Sequence, residues 1–362
     1  MSWSKVGPLI FVMIILSLML LNYRKRHSFK NKLSYFDEEN YYEEQESSRS
    51  IDITTESRQS STSSSWVNLQ LLDCGCTKRI LTAVPPVDDG KGSSRMTTCG
   101  QEANARGSGQ KVAAFTFFVS SVVKQDRNYF GGISLNAAAI EKLYPDFVMR
   151  VYHNISSSSS KTLCELECRF PNLDFCNVTD NPGLGNLNEI LPTAWRFVVM
   201  LDDQVDLAIF RDLDSVVSKR ESEAVKFWLK SKHAVHIMRD HPGHEMPILA
   251  GMWGIKVKAL RKSLRLILNQ MLQDPLSRSN FLSSSDDQFL LGKYIWPWSK
   301  DRSVQHDSFF CTYFGRAKPW PTQRPLGEVN NFVGSPFALN SSLAVACPER
   351  CRPRDHKDWV FC

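Results

Sequence analysis

The sequence predicts an α/β body built on a mixed, mostly parallel sheet flanked by helices. Three observations carry this. A strand–helix–strand pattern occupies 112–153, further strands and helices alternate after it, and the apolar stretch LAIF runs directly into RDLDS at 211–215. A strand, a helix and a strand within about 40 residues close most readily with the two strands parallel.

VAAFTFFVSSVV (112–123) is apolar and rich in β-forming residues, as expected of a strand buried on both faces. YFGGI then predicts a turn at Gly131 and Gly132, and SLNAAAIEKLY (134–144) a helix capped by Ser134. FVMRVYH (147–153) and LDFCNV (173–178) read as strands, and LPTAWRFVVML (191–201) as a helix. LAIFRDLDS supplies the next strand. Ser218-x-x-Glu221 is a capping box for a helix with the apolar stripe Ala224, Val225, Trp228 and Leu229. HAVHIM (233–238) and GMWGIKV (251–257) are strands, and Leu260, Leu264, Ile267, Leu268 and Met271 mark an amphipathic helix. Roughly 250 residues make one domain with ample core.

The N-terminal part reads differently. VGPLIFVMIILSLMLL (Val6–Leu21) is apolar except for Ser17, and no small-x-small cleavage site follows it. An uncleaved signal anchor over 6–22 is expected, behind a cytosolic tail of 1–5. The basic cluster after the anchor runs against the positive-inside rule for a lumenal body. Residues 23–65 are acidic and then serine-rich, with too few apolar residues for a core, and read as a disordered stem. Residues 66–110 form a small cysteine-containing subregion before the 111–362 body.

The chain carries 44 Lys+Arg against 38 Asp+Glu, a net charge of +6. Lys5, Arg24, Lys25, Arg26, Lys30 and Lys32 lie before residue 33 without a single acid, so the remainder is balanced at 38 against 38. Nothing in that balance asks for nucleic acid. All ten cysteines lie beyond the anchor, an even number suited to disulfides in an oxidising lumen. The C-x₃-C spacings at 164/168 and 347/351 leave zinc as the alternative. Sequons at Asn154, Asn177 and Asn340 also point to the secretory pathway, and to a Golgi or ER membrane protein of single-pass type II topology.

Asp212 and Asp214 would share one face at the end of a buried strand, where two like charges call for a cation between them. The carboxyl edge of a parallel sheet is where open α/β folds bind ligands. Three pieces follow. ILAGMWG (248–254) sets Gly251 and Gly254 around Trp253, where backbone could approach a ligand closely. SSSDDQFLL (283–291) places Asp286 and Asp287 at a helix start, and VQHDSF (304–309) supplies His306.

The order D-x-D, glycine loop, late acid pair and late histidine resembles the GT-A superfamily of nucleotide-sugar glycosyltransferases. The anchor, stem and lumenal body resemble its Golgi type II members. RDLDS, HIMRDHP, ILAGMWG and the tail FVG (332–334) are also similar to a poorly characterised glycosyltransferase group of invertebrates and microbes. The resemblance implies a GT-A-like fold. It also implies transfer of a sugar from a nucleotide-sugar donor, with a UDP-sugar foremost, to a glycan or glycoprotein acceptor. In it Asp214 and Asp212 hold Mn²⁺ or Mg²⁺ and His306 completes the metal site. Asp287 or Asp286 is the catalytic base, and Arg211, Arg239, Gly131, Gly132, Gly251, Trp253 and Gly254 line the donor. The superfamily's late acid motif usually reads Glu-Asp and is Asp-Asp-Gln here, so the resemblance does not fix the stereochemical outcome.

HIMRDHPGHEMP packs His236, His241 and His244 around Asp240, as a loop contacting the acceptor or donor sugar, a structural loop or a second metal site. Two rival functions stay open at this stage. FRDLDSV fits the strand-D-x-D-x-V nucleophile motif of haloacid-dehalogenase-like phosphatases, though that nucleophile belongs on a first strand. An inactive, lectin-like or scaffold protein on the same fold is the other.

Overall fold

A computed structural model describes residues 66–72, 74–82, 96–118, 127–155, 160–278 and 285–362. The expected tail, anchor and stem lie outside these. No helix among the described residues is long and apolar enough to cross a membrane.

The described residues open with a hairpin, β1 (Trp66–Leu71) and β2 (Thr77–Thr82), which forms its own two-stranded antiparallel sheet. A short helix α1 (Gln101–Ala105) leads to β3 (Gln110–Phe117), α2 (Arg127–Leu143) and β4 (Phe147–His153). Next come α3 (Ser160–Arg169), β5 (Leu173–Asn177) and a 3₁₀ helix, Pro192–Leu201. β6 (Val205–Arg211), α4 (Lys219–Leu229), β7 (Val235–Arg239) and β8 (Met252–Ile255) follow. The last elements are α5 (Val257–Gln273), α6 (Asp286–Tyr294), α7 (Trp296–Ser299), β9 (Ser303–Asp307) and β10 (Ala317–Lys318).

Eight strands form one sheet in the order β10–β9–β7–β8–β6–β3–β4–β5. All neighbours are parallel except β8, which runs antiparallel to both β6 and β7. The mixed, mostly parallel sheet expected from the alternating elements is therefore present. Each central strand splits its side chains between two layers, as the two-residue period requires. On β6, Ala208 and Phe210 pack toward the 3₁₀ helix and α5, whereas Leu207 and Ile209 pack toward α2 and α4.

Some boundaries moved. The first strand begins at Gln110 and ends at Phe117, and what the sequence marked as strand at 119–123 lies outside the described residues. Gly131 and Gly132 are not a turn; α2 starts at Arg127, so both glycines and Ser134 sit within it. The apolar run outweighs the weak helix propensity of the glycine pair. The 191–201 segment is helical but wound as 3₁₀. Ser218 caps α4 by accepting from the Glu221 amide (3.2 Å), as the capping box predicts.

All ten cysteines are paired, as 74–164, 76–168, 99–176, 311–351 and 347–362, so zinc gives way to disulfides. The first two staple the β1–β2 hairpin to α3; of the last two, 311–351 ties the C-terminal segment to the chain just after β9 and 347–362 closes a loop within that segment. Asn177 and Asn340 are exposed and Asn154 is half-buried.

Candidate active site

β6 ends at Arg211, so Asp212 and Asp214 stand in the turn beyond the strand rather than on one strand face. Alternation along β6 still decides the first of them. It sends Arg211 toward α4 and Asp212 toward the 3₁₀ helix.

Toward α4, Arg211 meets Glu221 (3.2 Å), and it also donates to the Gly251 carbonyl (2.7 Å) and Ser215 Oγ (2.9 Å). Its guanidinium is fully buried, with both Nη atoms hydrogen-bonded and Nε facing the Glu221 carboxylate. Arg211 was expected at the donor; it braces the turn instead. Arg239 is likewise spent on Asp307, Gln305 and the Pro247 carbonyl, fully buried beneath Phe314. A buried guanidinium needs such partners, and a neighbouring strand offered them first.

Toward the 3₁₀ helix, Asp212 meets a residue the sequence reading missed. Arg196 donates from Nη1 to Asp212 Oδ1 and from Nη2 to Asp287 Oδ2 (2.8 Å), so one guanidinium bridges the D-x-D turn and the start of α6. The side chains of Arg196 and Asp287 are 4% and 5% exposed, and that of Asp212 is 49% exposed. Burial works to raise the Asp212 carboxyl, but Arg196 overrides it and holds the group below the usual carboxylate range. For Asp287 burial wins over Arg196, with Asp212 adding to it, and the carboxyl is raised. Asp214 is also raised, by burial and then by Asp212. Among the described residues no basic side chain pairs with Asp214. Two neighbouring carboxylates raise one another in this way when no cation lies between them.

His306 does not join them. It lies on β9 on the α4 face, edge-on to Phe227, while Asp212 turns to the opposite face. His306 Nδ1 and His236 Nε2 are 2.8 Å apart in a buried pair, and burial lowers His306 to about 3. Among the described residues, the one cluster of three or more metal-capable side chains is the disulfide-bonded Cys74, Cys76, Cys164 and Cys168. The expected third ligand is thus a core residue.

The glycines work as spacers within the protein. A Cβ on Gly251 would run into the Asp212 carboxylate, and one on Gly132 into the Leu213 carbonyl. Gly254 lies against Ile209 and Trp228, and Trp253 stacks on Phe210 (4.2 Å) in the core. Gly131 has open space around it. Gly251→Ala is expected to push Asp212 off its position at a cost of roughly 1–3 kcal/mol. A chemical-denaturation curve unchanged from the parent would contradict that packing.

The C-terminal segment closes over the turn. Phe337 donates to the Asp214 carbonyl (2.7 Å), Ser215 and Pro336 form a bridge, and Val333 donates to Asp240 (3.0 Å). Asp240 is fully buried and also accepts from Arg220, Arg324 and Ser308. Burial opposes its ionisation, but Arg220 and Arg324 hold it down at about 2. A depressed carboxyl stabilises the fold above its unfolded pKa near 4 and loses that contribution as pH falls toward the folded value. The contribution is about 2–3 kcal/mol, disappearing between about pH 4 and pH 2. Acid unfolding monitored by circular dichroism should therefore steepen in this window, and Asp240→Asn should flatten it; an unchanged slope would reject the assignment.

A cavity of about 860 Å³ opens elsewhere, between the β1–β2 hairpin and α3, lined by Gln70, Glu102, Lys161, Glu167 and Phe175 among others. None of the acids singled out in the sequence borders it. The D-x-D turn, where carboxylates and the bridging arginine converge, has the chemistry.

No family model matches the chain, and no curated protein matches its sequence. Solved structures do. The apo form of glycosyltransferase GlyE from Streptococcus pneumoniae is similar at 11% identity over 56% of this chain and 46% of that one, with TM-score 0.37. Residues 1–349 of TarS from S. aureus give 16%, 51%, 55% and 0.33 in the same order. Mannosyltransferase PcManGT from Pyrobaculum calidifontis, in complex with GDP-Man and Mn²⁺, gives 12%, 54%, 55% and 0.35. The chain spans about half the length of these proteins. At these values none assigns an activity to it.

Proposed function

We propose that the chain is a divalent-metal-dependent glycosyltransferase that moves a sugar from a nucleotide-sugar, a UDP-sugar foremost, to a hydroxyl of a glycan or glycoprotein. The observation that carries this is the bridge of Arg196 between Asp212 and Asp287, at the carboxyl edge of the sheet, next to a raised Asp214 that pairs with no base among the described residues.

The residues fit a hard cation. Asp212 and Asp214 offer only oxygen, and one or two carboxylates plus substrate phosphates are how Mg²⁺ and Mn²⁺ are usually held at such sites. When bound, the ion neutralises charge on the departing diphosphate. The protein's own residues do the rest. Arg211 and Gly251 fix the turn, and the Phe337 amide fixes the Asp214 main chain. Arg196 holds Asp212 and Asp287 on one guanidinium, and its positive charge would favour an anionic leaving group there. Asp287, its carboxyl raised by burial, takes the proton of the acceptor hydroxyl. The acceptor oxygen bonds the anomeric carbon as that carbon's bond to the diphosphate breaks, and the nucleoside diphosphate leaves with the electron pair. Asp286, buried at the same helix start, positions the acceptor.

Five disulfides in the described residues support a lumenal body in the Golgi or ER, and protease protection of that body in sealed microsomes tests this topology. A panel of UDP- and GDP-sugars, read by nucleotide release from the full chain with Mn²⁺, tests the activity. Release is expected from one UDP-sugar and should stop on chelation. Silence across the panel with hydrolysis of p-nitrophenyl phosphate would overturn the proposal in favour of a phosphatase.

A further inference from the structure

We propose that His241 and His244 form a neutral pair of neighbouring rings that donates Nε2–H hydrogen bonds to hydroxyls of a sugar held at the sheet's carboxyl edge. This rests on the glycosyl-transfer reading and gives the two loop histidines a defined chemistry in that site.

The backbone fixes their chemistry. The Gly243 amide donates to His241 Nδ1 (2.9 Å), and the Asp240 amide donates to His244 Nδ1 (3.0 Å). A ring nitrogen that accepts carries no proton, so each neutral imidazole holds its hydrogen on Nε2. Neither Nε2 has a hydrogen-bond partner among the described residues. Burial, then Arg324, lowers His241, and burial is the main cause lowering His244 to about 3. Both rings are therefore neutral donors near physiological pH.

Their place in the fold brings them to the site. β7 is parallel to β6 with β8 between them, so the loop after Arg239 leaves the same edge as the D-x-D turn, roughly 10 Å along it. That loop ends at Gly251, packed on Asp212. The segment that donates to Asp214 and Asp240 also supplies Phe332, whose ring lies 4.7 Å from His241 and 6.0 Å from His244. The two imidazoles are 5.5 Å apart.

Neutral donors beside an aromatic ring suit a sugar better than an anion. A phosphate would seek free cations, but Arg220, Arg239 and Arg324 nearby are already paired with Asp240 and Asp307. A metal would need a third ligand, and the two histidines belong to no cluster of three among the described residues.

The test uses the full-length protein with ¹⁵N-labelled histidine rings. Near neutral pH, long-range ¹H–¹⁵N spectra should show both rings protonated at Nε2 only. Those Nε2 signals should shift with a UDP-sugar or a free glycan and stay in place with UDP alone. His241→Phe and His244→Phe keep a ring but lose the donor. Each should raise one KM by about 3- to 10-fold, the effect of one neutral hydrogen bond, and leave Mn²⁺ affinity alone. Gln, which keeps an N–H at a similar reach, should recover most of the loss. A change in donor KM places the sugar on the nucleotide, and a change in acceptor KM places it on the glycan. Protonation at Nδ1, or unchanged KM values with immobile ring signals, would overturn the proposal. If no nucleotide-sugar is turned over, the glycosyl-transfer reading fails by itself, and the ring shifts with free glycans decide the pair's role separately.

Discussion

Asp214→Ala is expected to lower nucleotide-sugar turnover by at least about 100-fold while the protein stays folded. Metal affinity, measured by calorimetry with Mn²⁺ alone, should fall at least as far as the ~10- to 100-fold that outer-shell changes cost at metal sites. The fold should tolerate this change because of Asp214's surroundings. Its carboxylate is only partly buried, pairs with no basic group among the described residues, and is raised by Asp212 across the turn. Removing it strands no partner and relieves a repulsion, so the melting temperature should hold or rise. Full turnover in the variant would remove Asp214 from the metal site. A large loss of stability would mean that its role is structural.

Arg196→Met should have the opposite profile, with stability and activity failing together. The guanidinium is buried and forms an ion pair with the buried Asp287 (2.8 Å). Removing one member of a buried pair leaves an uncompensated charge and costs roughly 3–5 kcal/mol. Urea denaturation should show that loss. Arg196→Met combined with Asp287→Asn should regain much of it, because the stranded carboxylate is then gone. Failure of the second substitution to restore stability would show that the bridge does not hold the two segments together. Arg196→Lys keeps the charge but loses the planar fork, so it cannot serve Asp212 and Asp287 at once. It should keep more stability than methionine and still lose turnover.

The residues reached by sequence reasoning and those it missed differ in a physical way. LAIF identified β6 because an unbroken apolar run marks a strand buried on both faces, and the acids after it had to emerge at that strand's carboxyl end. Ser218 and Glu221 announced the α4 start because a cap is satisfied within a single turn. The even cysteine count pointed to disulfides, although which cysteine met which depended on the hairpin docking against α3. Arg196 gave no signal. It lies in the run LPTAWRFVVML, where one base among apolar residues reads as a helix's solvent side. Only the packing of that helix across the end of β6 turned it inward. The glycines misled for the same reason, since a glycine's sequence context shows that close approach is possible but not what approaches. For Gly251 and Gly132 the answer was the D-x-D turn itself.

The sequence by itself therefore determined the layered α/β architecture, the edge at which the acids emerge and the disulfide chemistry. These follow from periodicity, chain direction and composition, which are written in neighbouring residues. The tertiary structure alone decided the partners. Alternation says that Arg211 and Asp212 point to opposite sides of the sheet, but strand order and helix docking put Glu221 on one side and Arg196 on the other. The same rule turned His306 toward His236 and away from the acids. A buried charge takes the nearest complement the topology offers, and that complement can be any distance away in the chain.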